Sequence, residues 1–368
     1  MSPTRVIALL GRRDEPTDAV EEYCRHLAEA LGAHQFQMKI RSVPWNTHGW
    51  TASLDALRLQ AEDWRGTWVL VQYTALAWSG RGFPTKLIRV LRVLRNAGAR
   101  IGLVFHDAQP FSGTRIVDRL RRSFQLRVMR RALSLANHAV FTVEPSQLSW
   151  FGSTHRHFSF IPVGANLPFP LPAQPHAEIH SPPTVAVYSI TGGTAGDRET
   201  RDIVAAIRHA AKRLQKLRLL VFGRHAEVRQ HALQEGLRHL DVELEVKGIL
   251  DEKELVQRFA AADVLLFVRG AISSRRGSAI AGIACGLPVI ALQGSETAPP
   301  VTEAGVILFP EKTEEAILQT QMGNALVQVL SENELRLQLA HRNRAAHEKY
   351  FSWPAIADRY VQFLQKQY

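Results

Sequence analysis

AADVLLFVRGAISSRRGSAIAGIACGLPVIA, Ala261–Ala291, decides how this chain folds. It begins with an apolar run, Val264–Val268, and ends with another, "LPVIA". Between them, two adjacent serines, two arginines and a glycine open an apolar helix-like segment that stops at Cys-Gly-Leu-Pro. Strands that are apolar throughout, joined by a helix, belong to a parallel sheet covered on both faces. The loop between strand and helix gathers Ser274, Arg275, Arg276, Gly277 and Ser278. Backbone amides, the positive end of a helix dipole and guanidinium groups coincide there, which suits a bound anion such as a diphosphate. Arginines merely exposed in a loop are the plainer alternative.

The same alternation fills the rest of the chain. "TRVIALLG" precedes the helical "TDAVEEYCRHLAEALG", "GTWVLVQY" precedes "FPTKLIRVLRVLRNAG", "ARIGLVFHD" precedes a basic helix, and "NHAVFTV" and "FSFIPVG" follow. At Asn166–Pro183 six prolines interrupt the pattern, which restarts with "TVAVYSI", "LRLLVFG", "VELEVKG", "ADVLLFV", "LPVIAL" and "GVILFP". The expectation is an α/β chain of two doubly wound, Rossmann-like domains, residues 1–170 and 184–351, with a proline-rich linker at 171–183. At roughly 150 residues per domain, 368 residues suit two.

The formal charge of +11 is uneven: residues 1–175 carry 22 Lys and Arg against 12 Asp and Glu, the remainder 23 against 22. The first half therefore faces something anionic. Its densest run is Thr114–Leu133, where Ile116, Leu120, Phe124, Met129 and Leu133 follow one helical face and seven arginines in residues 115–131 fill the others. Such a helix can lie on an anionic membrane surface or be a solvated face packed on a sheet. Nucleic acid is not expected, because aromatics do not interleave with the arginines as a stacking platform requires. No run of about eighteen apolar residues occurs, so a cytoplasmic location is expected, peripheral on the inner face of the membrane if the basic helix docks there. Cys24 and Cys285 are too few for a disulfide framework or a zinc site and read as buried thiols.

Ligands of parallel sheets bind at the carboxyl ends of the strands. Gly192, Gly193 and Gly196 follow one strand and open a helix carrying Arg198 and Arg201. Neither Gly-x-Gly-x-x-Gly nor Gly-Lys-Ser/Thr is present, so this is neither a dinucleotide fingerprint nor a P-loop, and a flexible surface loop is the alternative. Gly223 and Arg224 end a second strand, and Lys247, Gly248 and Ile249 a third. In the first half, His106 and Asp107 sit at a strand end where an imidazole and a carboxylate can hold a reacting hydroxyl, although such a pair is more often structural. Gly11 ends the first strand, where backbone can approach a ligand closely; Arg12 and Arg13 behind it can steer an anionic acceptor or be solvated.

The succession "VFGRHAE", "VKGILDEKELVQRFAAADVLLFV", "GIACGLPVIA" and "FPEKTEEAILQTQMGNALVQVL", closed by "YFSWPAIADRYVQFL", resembles the second domain of GT-B glycosyltransferases of the family-four type. "VLVQY", "VFHDAQP" and "FIPVGANLP" are similar, more loosely, to their acceptor domain. The resemblance implies two domains facing a central crevice, with a C-terminal helix at about 352–368 packing back on the first. It implies a nucleotide-diphosphate-sugar donor on the second domain, a glycan or lipid-linked acceptor on the first, and retaining hexosyl transfer without metal or other cofactor. No Asp-x-Asp triplet is present, so arginines and helix dipoles would have to meet the leaving-group charge. Arg198 falls near the family's phosphate-contacting lysine, Ser274–Ser278 cover its donor loop, and Lys247–Ile249 its nucleobase turn. Many members carry two glutamates in the donor region; Ser273 and Ala281 occupy those positions here, with Glu296 or Glu303 as candidate substitutes. His106 and Asp107 are the expected catalytic pair.

A catalytically silent nucleotide-binding module is a second reading, since both glutamates are gone. A sugar-nucleotide epimerase or a phosphorylase is a third, but no clear crevice carboxylate pair or cofactor lysine suggests it.

Overall fold

The computed structural model describes residues 3–113, 115–152, 157–167 and 178–366. The chain divides into two units, Met1–Asn166 with Trp353–Tyr368, and Leu167–Ser352. Unit 1 is a six-stranded sheet in the order β2-β1-β3-β4-β5-β6. Its strands are β1 (Thr4–Leu10), β2 (Phe36–Ser42), β3 (Trp68–Tyr73), β4 (Arg100–Phe105), β5 (His138–Phe141) and β6 (Phe158–Phe160). All five neighbouring pairs run parallel. Unit 2 repeats the plan in the order β12-β11-β10-β7-β8-β9. Here β7 is Thr184–Tyr188, β8 Leu217–Phe222, β9 Val242–Val246, β10 Val264–Ala271, β11 Val289–Gln293 and β12 Val306–Pro310. These pairs too are all parallel.

Side chains alternate across a strand, so each sheet needs cover on two sides. In unit 1, Ile7, Leu9, Val69, Val71, Ile101 and Leu103 share a core with Leu54, Leu57, Leu87, Leu91 and Val128 from three helices. The opposite face is closed by Trp353–Leu364, which the chain reaches only after completing unit 2. Trp353 Nε1 donates to the Ala165 carbonyl at 2.8 Å and Trp68 Nε1 to the Leu364 carbonyl at 3.0 Å. Phe363 stacks on His138 with ring centroids 4.4 Å apart. Of the expected linker, residues 171–177 lie outside the described ones. The rest is tied to unit 2: Asp263 Oδ1 accepts from the His180 backbone at 3.0 Å and Oδ2 from Thr184 at 2.7 Å.

The helix Gly277–Ala284 explains its own composition. Residues Ala279–Ala284 are all buried, and a Cβ on Gly282 would lie 2.3 Å from a methyl of Leu265 on β10. A helix buried on all sides at that distance has no place for a carboxylate. Among the described residues, no helix is long and apolar enough to cross a membrane.

The basic helix corrects the sequence reading. It runs Ile116–Leu133, Thr114 lying outside the described residues, and buries Gln125, Val128, Met129, Ala132 and Leu133. Ile116, Leu120 and Phe124, expected on the same face as Met129 and Leu133, are exposed. Asp118, which caps the helix and holds Arg121 at 3.2 Å, takes the inward place instead.

His138 is buried, donates or accepts with Ser159 Oγ at 2.9 Å, and has its pKa lowered to about 4 by desolvation, with Lys366 and His157 adding to the effect. The unfolded chain thus binds this proton at higher pH than the folded one. Stability from this site is complete above the ordinary histidine pKa of about 6.5 and is lost as pH falls towards 4. Melting of the wild type should therefore weaken across that window by about 1–3 kcal/mol more than that of His138→Gln. Phe363→Ala, which empties the space above β5, should cost about 3–5 kcal/mol in denaturant titration.

Candidate functional site

In a doubly wound sheet the loops part where the strand order reverses. In unit 2 that point lies between β7 and β10, which pair through only Val264↔Val185 and Leu265↔Ala186. On its other edge β10 breaks register with β11: Phe267 pairs with Ala291 and Ala271 with Leu292, so Val268, Arg269 and Gly270 bulge from the ladder. Gly270 has φ +68 and permits the bulge. Arg269 is carried into the reversal point by it. Its Nε is buried without a hydrogen-bond partner, and its pKa is lowered by burial, opposed by the Glu199 carboxylate and lowered further by Arg224. A guanidinium stays protonated under such a shift, so the protein holds a partly desolvated positive charge there.

The surrounding loops are fixed by their own hydrogen bonds. Glu199 Oε2 accepts from the Thr191 amide at 2.7 Å, and Ser189 Oγ from the Arg224 amide at 3.2 Å. Arg229 donates to the Gly193 carbonyl at 2.7 Å and pairs with Asp197, clamping the start of the helix Gly193–Ala211. A Cβ on Gly223, φ +94, would meet Ser189 Oγ at 2.5 Å.

The structure brings one group of expected residues together here. Gly192 caps the helix after β7 and packs near the His225 ring, next to Arg224. Arg276 caps Gly277–Ala284, and its guanidinium lies 3.7 Å from where a Gly270 Cβ would stand. Ser278 lies in the first turn of that helix, and Ser274 is buried in the loop before it. Arg275 turns to Glu296, its Nε donating to Oε2 at 2.7 Å, with Ser273 Oγ 3.5 Å from the same oxygen. Glu303 is elsewhere, accepting from the Tyr350 hydroxyl at 3.0 Å. Arg198 is exposed on the second turn of its helix, where its charge acts on Asp202. Lys247 and Ile249 are exposed beyond β9, two strands from β7, linked inward through Gly223 N donating to the Gly248 carbonyl at 2.8 Å. Arg269 was not singled out by its sequence, although an Arg-Gly pair ending a strand signals a bulge.

In unit 1 the order reverses between β1 and β3. A cavity of about 250 Å³ opens there, lined among others by Gly11, Arg12, Asp14, Asp18, Gln72, Thr74 and Asp107. Gly11 lies against the next loop: its Cβ would be 2.2 Å from the Ala77 carbonyl oxygen, which accepts from Arg12 N at 2.8 Å. Arg13 pairs with Glu21. The lining thus carries three carboxylates to one guanidinium, a balance that favours hydroxyl donors over anions. His106 is only 9% exposed; its Nε2 donates to Gln72 Oε1 at 2.8 Å and the Tyr23 ring meets it edge-on. Gln72 Nε2 donates in turn to the Leu70 carbonyl at 3.0 Å. Among the described residues no group of three His, Cys, Asp or Glu side chains is placed to hold a metal.

No protein-family model matches the sequence, and no curated protein matches it by sequence. Solved structures do match by fold. A glycosyltransferase of Rickettsia africae ESF-5 superposes with a TM-score of 0.65 at 12% identity, covering 99% of this chain and 98% of that one. Anabaena HepE, crystallised with UDP-glucose, gives 0.62 at 13% identity, covering 98% and 99%. A putative UDP-N-acetylglucosamine 2-epimerase of Listeria monocytogenes gives 0.60 at 10% identity, covering 98% and 95%. The fold is the GT-B fold, an α/β architecture with two Rossmann-like sheets.

Arg275 and Glu296 are both largely buried, so separating them is costly. Arg275→Met should destabilise the protein by about 1–3 kcal/mol in denaturant titration, and Arg275→Met with Glu296→Gln should recover most of that loss.

Proposed function

We propose that this protein is a glycosyltransferase that moves a hexosyl group from a nucleotide-diphosphate-sugar to a hydroxyl of a glycan or lipid-linked acceptor. The observation that carries the reading is the cluster of Arg269, Arg224 and Arg276 at the β7–β10 reversal, beside two helix starts. Fixed positive charge in a partly desolvated place stabilises the diphosphate that forms as the glycosidic bond breaks, with no metal required. The amides at Gly192–Gly193 and Gly277–Ser278 add donors to the same anion. Arg275, engaged by Glu296, serves to shape the loop, and Glu296 brings a carboxylate beside Ser273, within reach of ribose or sugar hydroxyls. Lys247, Gly248 and Ile249 supply an edge for the nucleobase. The structures of Anabaena HepE with UDP and with UDP-glucose make uridine nucleotides the first ligands to try.

The acceptor belongs to the cavity of unit 1. Asp107 lines it and can accept a proton or hydrogen bond from the attacking hydroxyl. His106, held by Gln72 and Tyr23, positions the strand end from which Asp107 projects. Retention at the anomeric carbon follows from the family resemblance, as does the assignment to the family-four type.

The burial of His106 and the serine at position 273 favour one other reading, a GT-B module that binds nucleotide without turnover. A melting panel of UDP, GDP, ADP and dTDP with their sugar conjugates distinguishes the outcomes when combined with nucleotide-release assays. A ligand at a hundred times its dissociation constant adds about 2.7 kcal/mol of stability. Wild type should be stabilised by one diphosphate, Arg269→Ala should weaken that binding at least about tenfold, and Asp107→Asn should bind donor normally but release nucleotide at least about a hundredfold more slowly. Binding without any release from the wild type supports the silent module instead.

A further inference from the structure

The first two turns of the helix Ile116–Leu133 expose what a solvated helix would hide. Ile116 is 78% exposed, Leu120 55%, Val117 46% and Phe124 39%. At about 100° per residue these four share one side of the helix, next to the buried stripe of Val128, Ala132, Gln125 and Met129. Phe111, also exposed, joins them through Arg121, whose guanidinium sits 4.8 Å from its ring centroid and 5.8 Å from that of Phe83. Phe83 packs edge-on against Phe124 at 5.6 Å. The patch is therefore held in place from below while its outer atoms meet water.

Charge decides what covers it. The helix carries six arginines and one carboxylate, Asp118, which is buried. Arg127 and Arg131 continue the side that Ile116 and Leu120 begin, and Arg119 and Arg130 flank it, all exposed. A second copy packed about a two-fold axis would set arginines against arginines. An anionic bilayer offers hydrocarbon to the apolar side chains and phosphate to the guanidinium groups within one interface, as amphipathic basic helices use it.

We infer that unit 1 docks on anionic lipid through this helix, with Ile116, Val117, Leu120 and Phe124 entering the acyl boundary and Arg119, Arg127, Arg130 and Arg131 on the headgroups. Docking rests on this surface alone and holds whether or not the protein transfers sugar. The test is co-sedimentation of the full chain with vesicles of phosphatidylcholine, alone or with about 30 mol% phosphatidylglycerol, over a salt series. Wild type should bind the anionic vesicles, weakly bind the neutral ones, and release as salt rises. Ile116→Ser with Leu120→Ser should lower partitioning at least about tenfold, and Arg127→Gln with Arg130→Gln and Arg131→Gln should do likewise while flattening the salt dependence. Both variants change exposed side chains, so unchanged melting temperatures verify that they are folded. The inference is overturned if wild type ignores anionic vesicles or if both variants bind as it does. It is equally overturned if sedimentation velocity finds a wild-type dimer that the Ile116→Ser, Leu120→Ser variant splits, which assigns the patch to a second copy.

Discussion

Parallel strands cannot be joined by tight turns, so successive strands within each sheet are joined by crossovers, and the loops that leave strand ends collect along one edge of each sheet. At one place per sheet the chain reverses direction of winding and two of those loops part. The rest of the molecule follows from that constraint. In unit 2 the parting loops are those after β7 and β10, in unit 1 those after β1 and β3, and the charged and polar groups argued to matter stand at those two places.

What the two places hold is opposite in character. Unit 2 keeps guanidinium groups at its reversal point, with Arg269 pushed out of the ladder by a bulge and its Nε unpartnered. Glu199 partly compensates, yet it also secures the Thr191 amide and cannot be given up to solvent. A partly desolvated charge that is only partly compensated is costly, and a ligand of opposite charge would offset that cost. Unit 1 keeps carboxylates there, and His106 is withdrawn into a hydrogen bond with Gln72. Diphosphate on one unit and hydroxyls on the other is the division that these balances suit.

The fold was legible because its signal is local: apolar runs such as β3 and the start of β10, Val264–Val268, are buried throughout, and the loops after them carry glycine, serine and arginine where helices begin. The site was legible only in part. Arg269 looked like the end of a strand, since a break in register depends on how β10 meets β11 and leaves only a glycine as its trace. The Arg275–Glu296 pair joins residues 21 apart, and the role of Gly11 depends on Ala77 from another strand's loop. Helical spacing could place Ile116 and Met129 on related faces, but the inward turn of Asp118 and Gln125 redirected that face, and only the packed helix reveals it.

The central claim is that the guanidinium groups at the β7–β10 reversal receive a nucleoside diphosphate. A crystal structure of the protein with UDP tests it most directly. The diphosphate is expected between the starts of the helices Gly193–Ala211 and Gly277–Ala284, with Arg269 or Arg276 on its oxygens. A nucleotide found in the unit 1 cavity, or lying with its phosphates away from both arginines, would contradict it.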